Sequence, residues 1–255
     1  MLSNESLENI ARFKHLSMQN AERDYLQDVL LFSIYSRAGR ELVFKGGTCL
    51  FKAYNLDRFS EDLDFTFSRK GDIKGIIKNL PNDLLLLGIR AQIKEIKEHK
   101  NELNARMLIN GPLFRGTKAT QCFIPLNISM KEKVLLEPRQ VRLNPLYAEL
   151  PSFEVFAMHE REMLAEKVRA IISREKPRDV YDLWHLVKAK GIKPDFEAIN
   201  KKLKLYSLSF SADLFRAAVN RKERLWESDL RGLMFREVPP FKSVSREIIG
   251  LLGQH

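Results

Sequence analysis

Phe44-Lys-Gly-Gly-Thr-Cys-Leu-Phe-Lys-Ala-Tyr-Asn-Leu-Asp-Arg-Phe-Ser-Glu-Asp-Leu-Asp-Phe65 is the stretch that decides how this chain folds and what it can hold. Leu42–Lys45 reads as a short strand, ended by Gly46-Gly47. Thr48 is placed as the N-cap of a two-turn helix through Tyr54. From Asp62 to Phe67 the residues alternate, with Asp62, Asp64 and Thr66 on one face and Leu63, Phe65 and Phe67 on the other. That period belongs to a half-buried strand, and it sets two carboxylates side by side.

Glycines after a strand let backbone N–H groups approach phosphate, and the following helix N-terminus adds a favourable dipole. Thr48 can add a hydroxyl to a phosphate oxygen. Carboxylates at i and i+2 supply hard oxygen ligands for Mg2+ or Mn2+, which completes its shell with water and substrate phosphates. Alone, an Asp-x-Asp pair is more often a solvated strand face, and a Gly-Gly-Thr turn is a weak signal. Joined through Arg58-x-Ser60-x-Asp62-x-Asp64 they make a strong one.

Working outward, residues 5–38 read as helix in two pieces, and Asp72–Leu87 as another. Extended runs follow at Ile89–Glu98, Asn104–Ile109 and Thr120–Ser129, with one more expected between Pro138 and Pro151. After that the pattern is helical: His159–Arg174, a helix opening at Pro177 and ending at Gly191, then Asp195–Leu203, Ser211–Trp226 and Ser243–Leu252. Strands followed by helices predict an α+β fold, with an α+β domain over residues 1–150 and a helical domain over 151–255.

The 255-residue chain is 44% hydrophobic and 30% charged, the composition of a soluble globular protein. No apolar run reaches the roughly 20 residues needed to span a bilayer, and no leader pattern opens the chain. No membrane association is expected. Cys49 and Cys122 are isolated and carry no metal spacing, which fits a reducing cytoplasm. Net charge is +10, and residues 159–255 hold 20 basic against 14 acidic side chains. That excess favours a polyanionic partner, with a Lys-rich solubilising surface as the plain alternative.

The motif resembles that of the AbiEii/AbiGii-type (MenT-like) nucleotidyltransferase toxins of the DNA polymerase β superfamily. Their pattern also has later parts, and similar residues occur here in the same order. Lys100-Asn-Glu-Leu-Asn-Ala-Arg106 resembles the second motif, with Ala105 where a hydroxyl is usual. Met163-Leu-Ala-Glu-Lys167-Val-Arg-Ala170 resembles the third, and Arg178-Asp179-Val-Tyr-Asp182-Leu the fourth, which carries an essential aspartate. The resemblance covers residues 44 to about 186. It implies a polymerase β-like nucleotidyltransferase domain, a mixed sheet flanked by helices, followed by a C-terminal helical bundle.

By their own geometry these later residues are less decisive. Lys167 lies roughly 60° from Leu164 around its helix, at the edge of the buried stripe, where it can snorkel or reach a cleft. Asp179, in a first helical turn, suits the helix dipole whatever its function. Asp182 points away from the Val180/Leu183/Trp184/Val187 stripe and ranks above it as the essential acid. Lys100 and Arg106 can neutralise triphosphate charge or simply be solvated. Where polymerase β-type sites place a third carboxylate, this chain has Asn127, with Glu132 just beyond; His159 and His185 do not suggest a metal cluster.

The resemblance implies Mg2+- or Mn2+-dependent transfer of a nucleoside monophosphate from an NTP to an RNA hydroxyl, with the tRNA 3′ end as the expected acceptor. It also implies a toxin role and a cognate antitoxin protein. Asp62 and Asp64 are then the metal ligands. Gly46, Gly47, Thr48, Arg58, Ser60, Lys100 and Arg106 bind nucleotide, and Lys167 with Asp182 or Asp179 completes the catalytic set. Two alternatives stand beside this: nucleotidylation of a protein or small molecule, or a non-catalytic nucleic-acid-binding protein on a decayed transferase fold.

Overall fold

The alternation at Asp62–Phe67 becomes a strand at the centre of a seven-stranded mixed sheet. The computed structural model describes residues 2–67 and 71–253. Its strands are β1 (Leu42–Lys45), β2 (Leu63–Phe67), β3 (Arg90–His99), β4 (Glu102–Asn110), β5 (Cys122–Ser129), β6 (Arg139–Leu143) and β7 (Phe153–Ala157). They lie in the order β3-β4-β5-β2-β1-β7-β6. β2 is antiparallel to β1 and parallel to β5, while β1 is parallel to β7. The expected single extended piece before Pro151 is in fact one strand of a pair. β6 and β7 pair antiparallel on either side of the proline-containing turn, where the ladder groups that proline lacks are not needed.

The chain divides into two compact units. The first comprises Met1–Asn55, Phe59–Lys133 and Pro138–Ala157, and holds the whole sheet. Its helices are α1 (Asn4–Lys14), α2 (Met18–Tyr35), α3 (Gly46–Tyr54) and α4 (Ile73–Leu86). Ser3, Ser17 and Asp72 cap α1, α2 and α4 by accepting an N–H from the first turn, as short oxygen side chains do. β2 buries Leu63 and Phe65 and leaves Asp64 half-exposed, as the alternation predicts, but at its end Thr66 is buried and Phe67 half-exposed, against it. On β4, Leu103, Ala105, Met107 and Ile109 are buried by the same rule, with Asn104, Arg106 and Leu108 half-exposed between them.

The second unit comprises Leu56–Arg58, Val134–Glu137 and Met158–His255. It is built from α5 (Glu160–Ser173), α6 (Arg178–Lys188), α7 (Phe196–Lys204), α8 (Ala212–Asn220), α9 (Trp226–Leu230) and α10 (Phe241–Leu252). The expected single helix over 211–226 is broken after Asn220. Lys222 turns inward there and its ammonium donates to the carbonyls of Ile171 and Ala218 at 2.8 and 2.9 Å, capping the ends of two helices at once. The α+β fold class, a mixed sheet with helices followed by a helical part, is the one observed. No helix among the described residues is long and apolar enough to cross a membrane.

Candidate active site

β1 runs straight into α3 with no loop between them. The helix therefore begins at Gly46, Lys45 is its N-cap residue without a side-chain cap bond, and Thr48 lies inside the first turn. This corrects the expected cap. The early start is possible because Gly46 takes φ +77°, a conformation only glycine adopts without strain. A second constraint falls on the same residue: a Cβ added there would lie 2.4 Å from Asp64 Oδ2. The turn and the carboxylate strand are thus in direct contact.

Thr48 is fully buried and its hydroxyl donates to the carbonyl of Asp62, tying α3 to the start of β2. The N–H groups of the first turn of α3 have no partner within the helix, as at any helix N-terminus, and the first residue of that turn, Gly46, lies against Asp64. Asp62 immediately precedes β2, and Asp62 and Asp64 are both half-exposed. Asn127 sits directly across from Asp64 in the parallel β2–β5 register, and its Nδ2 donates to Asp64 Oδ1 at 2.9 Å. Arg106 Nη1 donates in turn to Asn127 Oδ1 at 2.9 Å. Across β1, Lys45 pairs with Asp64 in register and its buried ammonium is bound to Glu132.

α2 holds both halves of the motif. Lys52 of α3 reaches Asp24 Oδ1 at 2.7 Å and Asp28 Oδ1 at 2.6 Å. Gln27, between these two acids, donates from Nε2 to the carbonyls of Ser60 and Glu61, each at 2.9 Å. Arg23 forms an ion pair with Glu61. Burial would raise the pKa of Asp24, but Lys52 and Lys14 outweigh it and hold the carboxyl at about 2. None of these α2 contacts is visible in the motif. Their one sequence signal is three polar residues, Asp24, Gln27 and Asp28, on one face of a helix that is otherwise apolar there.

Arg58, Lys167, Asp179 and Asp182 gather in the second unit. Arg58, 1% exposed, makes a two-pronged contact with fully buried Asp182: Nε to Oδ1 and Nη2 to Oδ2, both 2.7 Å. Lys167 Nζ lies 2.5 Å from Asp182 Oδ2 and 2.9 Å from Asp179 Oδ1. Arg174 closes the chain on Asp179 with bonds of 2.7 and 2.8 Å. Lys167 neither snorkels nor stands at a surface; it bridges two buried acids. Asp182 does not point to solvent either, because Arg58 fills the space its helix face looks onto. Burial pushes both carboxyls up, and the surrounding cations more than reverse it: Lys167 and Arg174 for Asp179, Arg58 and Lys167 for Asp182. Both carboxyls are held below the usual value of 3.8. Arg174 carries no motif signal, lying in the irregular stretch between α5 and α6.

Lys100 is exposed in the β3–β4 turn, where the carbonyl of Asn101 accepts the N–H of Met130 beyond β5. Ser60 is buried just before β2. Ala105, which replaces the usual hydroxyl, points into the core and is fully buried. A Thr or Ser there would carry its hydroxyl into an apolar layer. Asp62 and Asp64 together fit a hard divalent cation: two ionisable, half-exposed carboxylates beside a turn whose N–H groups suit phosphate. Among the described residues no group of three or more His, Cys, Asp or Glu is placed to hold a metal.

The family model described as nucleotidyl transferase AbiEii toxin, type IV TA system, matches residues 29–245. Among solved structures, the fold is similar to that of MenT4, a nucleotidyltransferase toxin from Mycobacterium tuberculosis H37Rv. The two share 19% identity and a TM-score of 0.65, over 100% of this chain and 91% of the other. JHP933 from Helicobacter pylori is 20% identical with a TM-score of 0.57, over 94% of this chain and 92% of the other. At such identities these two likenesses speak for the fold. No curated protein matches the chain.

Proposed function

The chain belongs to the AbiEii nucleotidyl transferase toxin family of type IV toxin–antitoxin systems, and on that premise we propose that it transfers a nucleoside monophosphate from an NTP to an RNA hydroxyl, the tRNA 3′ end above all, in the cytoplasm. The acceptor oxygen forms a bond to the α-phosphorus, the α–β bond breaks, and pyrophosphate leaves. The observation that carries this reading is the contact at Gly46. A phosphate-cradling helix N-terminus and a metal-ligating carboxylate are packed so closely that a single methyl group would separate them.

Asp62 and Asp64 would hold Mg2+ or Mn2+, which supplies charge neutralisation at the phosphates and the leaving pyrophosphate. The N–H groups around Gly47 and Thr48 orient the phosphates, and the Thr48 hydroxyl keeps the turn fixed to the Asp62 backbone. Arg58 and Ser60 belong to the nucleotide-binding set, and Arg106 and Lys100 add positive charge for the triphosphate. Lys167 is the expected nucleotide-phosphate contact, and Asp182, ahead of Asp179, the essential acid. The basic excess of residues 159–255 supports an RNA acceptor, since phosphate contacts dominate such affinity. A cognate antitoxin protein is the expected partner.

The test is incubation with each labelled NTP and Mg2+, with total tRNA or without RNA, beside an Asp62→Ala/Asp64→Ala control. Label in tRNA that vanishes in the control supports the reading. Self-labelling without RNA points to protein nucleotidylation. Tight tRNA binding with no label would identify a binding module on a decayed transferase fold.

A further inference from the structure

Strand register puts Asn127 where a polymerase β-type site has its third acid, and its two hydrogen bonds settle what it does there. A guanidinium has only donors, so the 2.9 Å contact from Arg106 Nη1 has to be to the amide oxygen. That leaves Nδ2 facing Asp64 Oδ1, also at 2.9 Å, and a carboxylate oxygen is only an acceptor. Turning the amide over would set oxygen against oxygen at one end and NH2 against guanidinium at the other. The orientation is therefore fixed from both sides.

Two consequences follow. The one atom of Asn127 able to ligate a cation, Oδ1, already accepts a bond from the Arg106 guanidinium, whose positive charge opposes a cation at that oxygen. The same lock fixes the Asp64 carboxylate, occupying Oδ1 and leaving Oδ2 on the side facing Gly46. The other nearby acid, Glu132, is 4% exposed and bound to Lys45.

We propose that Asn127, locked by Arg106, is a positioning residue for Asp64, and that this site takes one divalent cation instead of two. The inference rests on Asp62 and Asp64 being metal ligands. It assigns Asn127 no contact with the cation; it acts through the carboxylate it holds.

The experiment counts Mn2+ bound to the full chain by electron paramagnetic resonance of the free ion. Wild type, Asn127→Asp, Asn127→Ala and Asp64→Asn are compared, with the melting temperature of each measured with and without Mn2+. Wild type is expected to bind one ion and Asn127→Asp two. Asn127→Ala should keep one ion at about tenfold weaker affinity, the scale of one hydrogen bond to a charged group. Mn2+ should raise the melting temperature of Asn127→Asp more than that of wild type, because it relieves repulsion between adjacent carboxylates. A merely structural asparagine would leave the Mn2+ affinity of Asn127→Ala unchanged. Two ions on the wild type, both lost in Asp64→Asn, would overturn the inference and leave the transferase reading intact. One ion on Asn127→Asp would also overturn it. No ion on any of these proteins would overturn the metal assignment itself, and this inference with it.

Discussion

Replacing Arg58 and Asp182 singly and together separates their structural role from a catalytic one. Arg58→Met removes two 2.7 Å charge-assisted bonds and leaves Asp182 with Lys167 alone. Breaking one side of a buried pair costs about 3–5 kcal/mol, and the remaining cation argues for the lower end, about 3 kcal/mol. Asp182→Leu takes from Arg58, which is 1% exposed, the carboxylate it grips with two bonds, while Lys167 keeps Asp179; about 3 kcal/mol is expected again. The double variant strands neither charge and puts apolar groups of similar volume in the space. Its cost should be no more than about 3 kcal/mol, against a sum of about 6, a coupling of about 3 kcal/mol. The two tryptophans of the chain, Trp184 and Trp226, both lie in the helical unit, so urea unfolding followed by their fluorescence reports that unit. Additivity within about 0.5 kcal/mol would refute the buried pair. Nucleotidyl transfer by the same folded double variant then tests the chemistry of the pair: retained activity removes both Arg58 and Asp182 from the mechanism, and loss of activity keeps the pair in it.

Three further outcomes are expected. Gly46→Ala forces a left-handed backbone on an L side chain, costing about 1–2 kcal/mol. It also displaces Asp64 Oδ2 from a 2.4 Å approach, so the initial labelling rate should fall about 100-fold; a loss under about threefold would show that the turn does not set the carboxylate. The pKa values of Asp179 and Asp182 are depressed in the fold, so as pH falls the unfolded chain takes up protons first. Their contribution is present above the usual value of 3.8 and lost below it, and the tryptophan-reported melting temperature should drop as pH falls below 3.8. Asp179→Asn should flatten that decline. Gln27→Leu leaves the carbonyls of Ser60 and Glu61 without their donor, at a cost of about 2 kcal/mol. Transfer should slow while the tryptophan-reported stability of the helical unit stays unchanged.

Most elements of the sheet unit, β7 apart, are legible because each rests on short-range pattern. Alternation marks β2, and a glycine pair marks the strand-to-helix junction. Asp72 opens the expected helix over Asp72–Leu87 and caps the observed one. The misplaced boundaries are those that depend on contacts distant in sequence. Thr48 has the chemistry of an N-cap, yet its hydroxyl is drawn to the Asp62 carbonyl 14 residues away, and the helix starts at Gly46 instead. The 211–226 segment keeps a helical composition throughout, and only the burial of Lys222 against two helix ends shows why it breaks.

For the candidate site, the sequence identifies residue types and leaves their partners undetermined, and the partners change what each residue can do. Asp182 ranks above Asp179 because it lies off the apolar stripe, which is correct as helix geometry. A stripe, however, says only where apolar residues face, not whether the other side meets water. Here it meets a guanidinium from position 58, 124 residues earlier. Asn127 reads as a weak substitute ligand because asparagine carries an oxygen. Arg106 claims that oxygen and converts the residue into a donor toward Asp64, a role no spacing between positions 64, 106 and 127 encodes. Hydrogen-bond direction is a property of three groups taken together, so a sequence can name the members of such a set well before it can say which of them touches the metal.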